Sequence, residues 1–177
     1  ITVLHLLIRN HIQITRSCCK CVDASYGFRL PTINMIVLIQ RVSEASVDVE
    51  NRTVARIRRG LVIFLAIEPG DTDKDCTKLS RKVIGYRMFS DAQGKLNLDV
   101  RQANGEILVI SQFTLGADTT KGLRPSLRAA DPGIAEPLYE LFVEKLRTDD
   151  IPVQTGVFGA HMDVALVNDG PTTVMLK

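Results

Sequence analysis

The segment Ser111-Gln112-Phe113-Thr114-Leu115-Gly116-Ala117-Asp118 follows directly on a run of branched apolar residues. Its hydroxyls, amides and backbone N–H groups therefore stand at a strand end, where they reach a cleft. Thr114 is the tempting nucleophile, but no neighbour is an obvious general base, and an unactivated hydroxyl is weak. A second polar cluster, Asn168-Asp169-Gly170-Pro171-Thr172-Thr173, reads as a turn between the last two strands. The usual catalytic partners are scarce, because beyond residue 34 the chain holds one cysteine, Cys76, and one histidine, His161. A disulfide framework, a Cys/His zinc cluster and a multi-histidine centre are all difficult to build from that set, so neither metal nor cofactor is expected. His161 sits in the alternating stretch Ala160 to Val164, on the face opposite Met162 and Val164, which suits a structural or solvent-facing role. Cys76 shares a helical spacing with Leu79 and Val83 and reads as a core residue.

The elements that must position these groups are strand-rich. Met35 to Val42 reads as a strand, followed by a short alternating segment at Val47 to Val49, a turn at Asn51-Arg52, and strands at Thr53 to Ile57 and Leu61 to Ile67. Thr72 with Asp75 predicts a helix start, with Lys74, Lys78, Arg81 and Lys82 mostly facing water. Asp91 to Gly94 is a turn, and Glu106 to Ser111 a buried strand. Ile134, Leu138, Leu141, Phe142 and Leu146 mark a second helix, and Pro137 places its main body from about Glu136. Val153 to Thr155, Ala160 to Val167 and Thr172 to Leu176 complete the strands. This order predicts an α+β (mixed α/β) domain with two main helices packed on β-sheets. A doubly wound nucleotide fold is disfavoured, since no glycine-rich phosphate loop is present.

At 177 residues, 45% hydrophobic and 24% charged, the chain suits one ordinary domain. Its formal charge of +2 is positional: of 22 basic and 20 acidic residues, four and one fall in the first 34, which leaves 18 and 19. Net charge thus gives no support for DNA wrapping or a membrane anchor. Residues 1–34 are irregular in hydrophobic spacing and rich in cysteine, and are expected to be a disordered, targeting or non-native extension before a working domain of residues 35–177. A cytoplasmic location is expected, or an organelle if the extension is a targeting segment.

The two polar clusters resemble the paired signatures of the D-aminoacyl-tRNA deacylase family, Ser-Gln-Phe-Thr-Leu and Asn-x-Gly-Pro-x-Thr, in the correct order. Met35 to Val42, Gly60 to Ile67, Gly94-Lys95-Leu96-Asn97 and Lys121-Gly122-Leu123-Arg124-Pro125-Ser126 also look like family segments. The resemblance implies a homodimer that hydrolyses the ester joining a D-amino acid to the 3′ end of tRNA, and also removes glycine from mischarged tRNA. It implies that Gly170-Pro171 is a cis pair entering the partner subunit's active site, where it rejects L substituents. An X-Pro bond reaches cis at small cost, so a rigid turn with two parallel carbonyls is accessible there.

By the same resemblance Ser111, Gln112, Phe113 and Thr114 form the catalytic stretch, with a main-chain N–H near Phe113 and the RNA's own 2′-OH assisting attack by water. Leu115, Gly116 and Ala117 continue the pocket wall, and Gly116-Ala117 stands where many relatives place a larger aromatic before a small residue. Arg41 resembles the arginine that orients the Gly-Pro element, against the reading of an ordinary strand-end arginine. Asn168 either braces that turn or simply caps it. Lys121, Arg124 and Arg128 are candidate RNA contacts, or a solvated loop. Two other readings remain: a non-catalytic RNA-binding homodimer, and a generic small-ester hydrolase using Thr114.

Overall fold

A computed structural model describes residues 35–120, 122–127, 129–148 and 150–177. The expectations for residues 1–34 lie outside the described residues. The elements run β1 (Ile36–Val49), β2 (Arg52–Ile57), β3 (Gly60–Ala66), α1 (Asp73–Ile84), β4 (Phe89–Ser90), β5 (Leu96–Leu98), β6 (Glu106–Ser111), a 3-10 turn (Phe113–Gly116), α2 (Pro132–Arg147), β7 (Val153–Thr155) and β8 (Asp163–Leu176). This is the mixed architecture expected, with two helices against a six-stranded sheet.

Strand order in that sheet is β2-β1-β3-β6-β7, with β8 also paired to β1. The β1 pairings are antiparallel, whereas β3–β6 and β6–β7 are parallel. The parallel strands are connected through α1 and α2, as parallel strands require. Both helices lie over one face, against Val37, Ile39, Leu61, Ile63, Ile107 and Val109. The opposite face gathers Val42, Ala45, Val47, Ala55, Ile57, Val62, Leu108 and Ile110. β3 and β6 are thus buried on both sides, which accounts for their unbroken apolar sequence. In β1 the odd residue Ile39 faces the helices while the odd residues Ala45 and Val47 face away. The register shift between Val42 and Glu44 inverts the alternation there.

Three boundaries differ from the sequence expectation. β1 is one continuous strand rather than two segments. α2 begins at Pro132 and runs through Pro137, instead of starting near Glu136. The Asp131 carboxylate caps it by accepting from Gly133 N–H at 2.9 Å, and the exposed Pro137 forfeits one backbone bond near the start without breaking the helix. Its buried stripe accordingly includes Ala135, Tyr139 and Val143, while Ile134 is exposed. Lastly, β8 starts at Asp163, not Ala160, and continues through Gly170-Pro171 to Leu176. The expected turn survives as an excursion: Val42 pairs with Asn168 and Gln40 with Thr173, so residues 169–172 bulge out opposite Arg41 alone.

Candidate active site

β6 ends at Ser111 beside Leu65 of β3, and Gln112 N–H donates to the Leu65 carbonyl at 2.8 Å. The chain then tightens into the 3-10 turn, where Leu115 N–H bonds Gln112 O and Ala117 N–H bonds Thr114 O, both at 3.2 Å. Phe113 opens this turn, so its N–H has no acceptor within it. Ser111, Gln112 and Phe113 line a cleft of about 360 Å³, closed on other sides by Ala130, Pro132, Ala135 and Tyr139 of the α2 region and by Phe158 and Met162. Phe113 is half exposed at its mouth.

Thr114 is not among the cleft-lining residues, nor are Leu115, Gly116 and Ala117. The Thr114 hydroxyl accepts a short hydrogen bond from the Gln112 side-chain amide. A side chain at position 116 would collide with Glu68, whose Oε1 lies 1.7 Å from where its Cβ would stand. In this chain the Glu68 carboxylate therefore takes room that a residue at 116 would need.

Tyr139 is the one titratable side chain among the described residues lining the cleft. Its hydroxyl donates to the Val109 carbonyl at 2.9 Å, and burial pushes the phenol up from its ordinary value, so it stays protonated. Its ring meets Phe158 with centroids 5.6 Å apart. Tyr139, Phe158 and Met162 escaped the sequence reading. Tyr139 sits on the buried stripe of α2, a signal that was present but reads as core. Phe158 and Met162 come from the irregular segment between β7 and β8, and only the fold brings them to the cleft.

A second cluster forms on the β1–β8 pair. The Gly170–Pro171 peptide bond is cis. Asn168 holds both ends of the excursion: its Oδ1 accepts from Thr172 N–H at 2.9 Å and its Nδ2 donates to Thr172 O at 3.2 Å. Arg41, buried, donates from Nε to the Asp169 carbonyl at 3.1 Å and lies 3.0 Å from the Asp169 carboxylate. Its Nη1 also donates to Met88 O. Gly170 has φ +128°, and a Cβ there would lie 2.5 Å from Thr172 Oγ1 and 2.8 Å from Arg41 Nη2. Arg41, Asn168 and Gly170-Pro171 are thus brought together, but neither Gly170 nor Pro171 lines the cleft of its own chain.

Arg124 is exposed on a loop closed by the paired Asp118 and Ser126, whereas Lys121 and Arg128 lie outside the described residues. The His161 side chain is almost fully exposed, 3.9 Å from Asp163. Cys76 is buried, donates to the Leu138 carbonyl at 3.4 Å, and is pushed up to about 12 by burial and then by Asp73, Asp71 and Asp75. It is a core thiol, as its spacing predicts. No group of three metal-ligating side chains occurs among the described residues. Nor is any described helix long and apolar enough to cross a membrane.

Comparison with known proteins extends the resemblance to nearly the whole described region. A family model described as D-Tyr-tRNA(Tyr) deacylase matches residues 38–177. The chain is 54% identical over 144 residues to a D-aminoacyl-tRNA deacylase of Pectobacterium atrosepticum, and 56% identical to one of Alcanivorax borkumensis. Each alignment covers 81% of this chain and 99% of the relative. Among solved structures, the c-Myc DNA unwinding element binding protein superposes with a TM-score of 0.75 at 37% identity, over 80% of this chain and 97% of that one.

Proposed function

This chain belongs to the D-aminoacyl-tRNA deacylase family, and from that membership we propose how its cleft and its Gly-Pro excursion divide the work. The reaction is hydrolysis of the ester between a D-amino acid and the 3′ end of tRNA, a proofreading step that frees both. The observation that carries the mechanism is the composition of the cleft: its described lining is mostly apolar and offers one serine hydroxyl, one amide and backbone groups, with one protonated phenol as its sole titratable side chain.

Catalysis in such a site rests on positioning and on electrostatic stabilisation by fixed dipoles. The terminal adenosine enters beside Ser111, Gln112 and Phe113. A main-chain N–H near Phe113 stabilises the oxygen of the tetrahedral intermediate. Water adds to the ester carbonyl, assisted by the adenosine 2′-OH. The carbon–oxygen bond to the 3′ oxygen then breaks, and that oxygen leaves with a proton. Thr114 shapes the turn through Gln112 and attacks nothing.

Chirality is read by the second cluster. Two chains associate as a homodimer, and each lends Gly170-Pro171 to the other's cleft, where their carbonyls grip the substrate amino group and leave no room for an L side chain. Support comes from the separation of the two clusters within one chain and from the bracing of residues 169–172 by Asn168 and Arg41. Glycine, lacking a side chain, passes the same filter, so mischarged glycyl-tRNA is a second substrate. Residues 35–177 are the working domain, placed in the cytoplasm unless residues 1–34 direct it elsewhere.

The test compares D-aminoacyl-tRNA, its L counterpart and a small D-aminoacyl ester with purified protein. Hydrolysis of the first alone is expected. RNA binding without cleavage would favour a non-catalytic module, and equal cleavage of small esters of either hand would favour a generic hydrolase.

A further inference from the structure

α1 and α2 pack side by side over the sheet, and one exposed row on each carries opposite sign, flanked by Asp73 and Asp75 in the first turn of α1 and by Lys145 and Arg147 in the last turn of α2. On α1, Lys74, Lys78 and Arg81 stand at i, i+4 and i+7, all exposed, with Lys82 beside them. On α2, the exposed positions Glu136, Glu140 and Glu144 recur every four residues. None of the three α1 cations joins an ion pair among the described residues. Lys74, Lys78 and Arg81 repel one another at one-turn spacing, although Asp73 and Asp75 in the first turn and Arg81 and Lys82 in the last turn suit the helix dipole.

The cations also share surface relief. One shallow groove is lined by Asp73, Lys74, Thr77, Lys78 and Arg81. A second runs from Thr77 and Arg81 to Lys145 and Thr148 at the end of α2. The two meet at Thr77 and Arg81, and together extend a track that spans about 10 Å along α1 alone. α1 contributes none of the exposed large apolar side chains, so the track lacks the aromatic or aliphatic anchor of a protein-binding surface. Since residues 35–177 are close to neutral, the track is local segregation rather than general basicity.

We propose that this α1 track docks the phosphate backbone of the tRNA, away from the cleft and without reading sequence. The inference rests on the cleft being an aminoacyl-tRNA site. No α1 residue lines that cleft, so the track contributes to holding the RNA body and nothing to the ester chemistry.

The experiment uses the variant Lys74→Gln/Lys78→Gln/Arg81→Gln, which keeps good helix formers on an exposed face. Binding of uncharged tRNA is measured across a salt series, and hydrolysis is measured on D-aminoacyl-tRNA and on D-aminoacyl-adenosine. The slope of log affinity against log salt is expected to fall by about 2 to 3, on the basis of roughly 0.7–0.9 per phosphate contact. Hydrolysis of D-aminoacyl-adenosine is expected to be unchanged, and Glu136→Gln/Glu140→Gln/Glu144→Gln is expected to leave the slope intact. An unchanged slope in the α1 variant, or an equal loss on the adenosine substrate, would overturn the proposal. Failure of the unmodified protein to hydrolyse D-aminoacyl-tRNA would instead remove the reading of the cleft itself.

Discussion

Thr114 has a hydroxyl but no base, and its contact with the Gln112 amide ties it to the turn. Thr114→Ala should therefore lower single-turnover hydrolysis by less than about tenfold, whereas removing a true covalent nucleophile costs on the order of 10⁶. Mass spectrometry of the quenched reaction should detect no aminoacyl-protein adduct. Gly170 is constrained from three directions, by its positive φ, by Thr172 and by Arg41. Gly170→Ala should push residues 169–172 out of place and lower kcat/KM on D-aminoacyl-tRNA about 100-fold, the scale expected for an ångström-level misplacement. A variant within a few-fold of the unmodified protein would show that the excursion has slack. Both residues stand out in the sequence because each lies in a polar run at a strand end. Gln112 stands in the same run as Thr114, whereas Arg41 is marked by the family resemblance alone: that it meets Asp169 follows from β1–β8 pairing across 128 positions, which no local pattern reveals.

Elements show where sequence periodicity succeeds and where it stops. β3 and β6 were legible as apolar runs, and α1 from Thr72, Asp75 and the Cys76, Leu79, Val83 spacing, because each is governed by local burial. Pro137 misled because a single lost backbone bond near the helix start is outweighed by the packing of Ala135, Leu138, Tyr139 and Phe142. The Gly-Pro turn was legible as chemistry but not as a bulge inside one strand, since the bulge depends on where β1 supplies partners. Tyr139 joins α2 to β6 through Val109, so Tyr139→Phe should destabilise the fold by about 1 kcal/mol while keeping the ring in the cleft, as denaturant titration can measure. Asp99 does comparable work in the loop before β6, accepting from Arg101 N–H and Gln102 N–H at 2.9 Å and from Arg101 Nη2 at 2.8 Å. Burial acts to raise its pKa, but the Arg101 side chain and these N–H groups outweigh it and hold the carboxyl below its ordinary 3.8. A depressed folded pKa stabilises the fold above the ordinary value, and that contribution is lost as pH falls through the lower folded one. Asp99→Ala should thus cost about 1–3 kcal/mol at neutral pH, and the gap to the unmodified protein should narrow only in strong acid.

Across the whole molecule, three features lie apart from one another: a cleft under α2, a braced Gly-Pro excursion on β8, and a basic track on α1. Scarcity of histidine and cysteine in the sequence pointed toward chemistry arranged by the backbone and by the RNA, and the described cleft lining fits that picture. In the proposed dimer, the partner's excursion supplies what the cleft of a single chain lacks. The most direct test mixes two inactive variants, Ala129→Trp, which fills the exposed mouth of the cleft, and Gly170→Val, which disables the excursion. If each excursion serves the partner's cleft, a mixed dimer regains one sound site from the open cleft of one protomer and the intact excursion of the other. Random reassortment should then restore about one quarter of the D-aminoacyl-tRNA hydrolysis of the unmodified protein. No recovery on mixing, with mixed dimers demonstrably formed, would contradict the account.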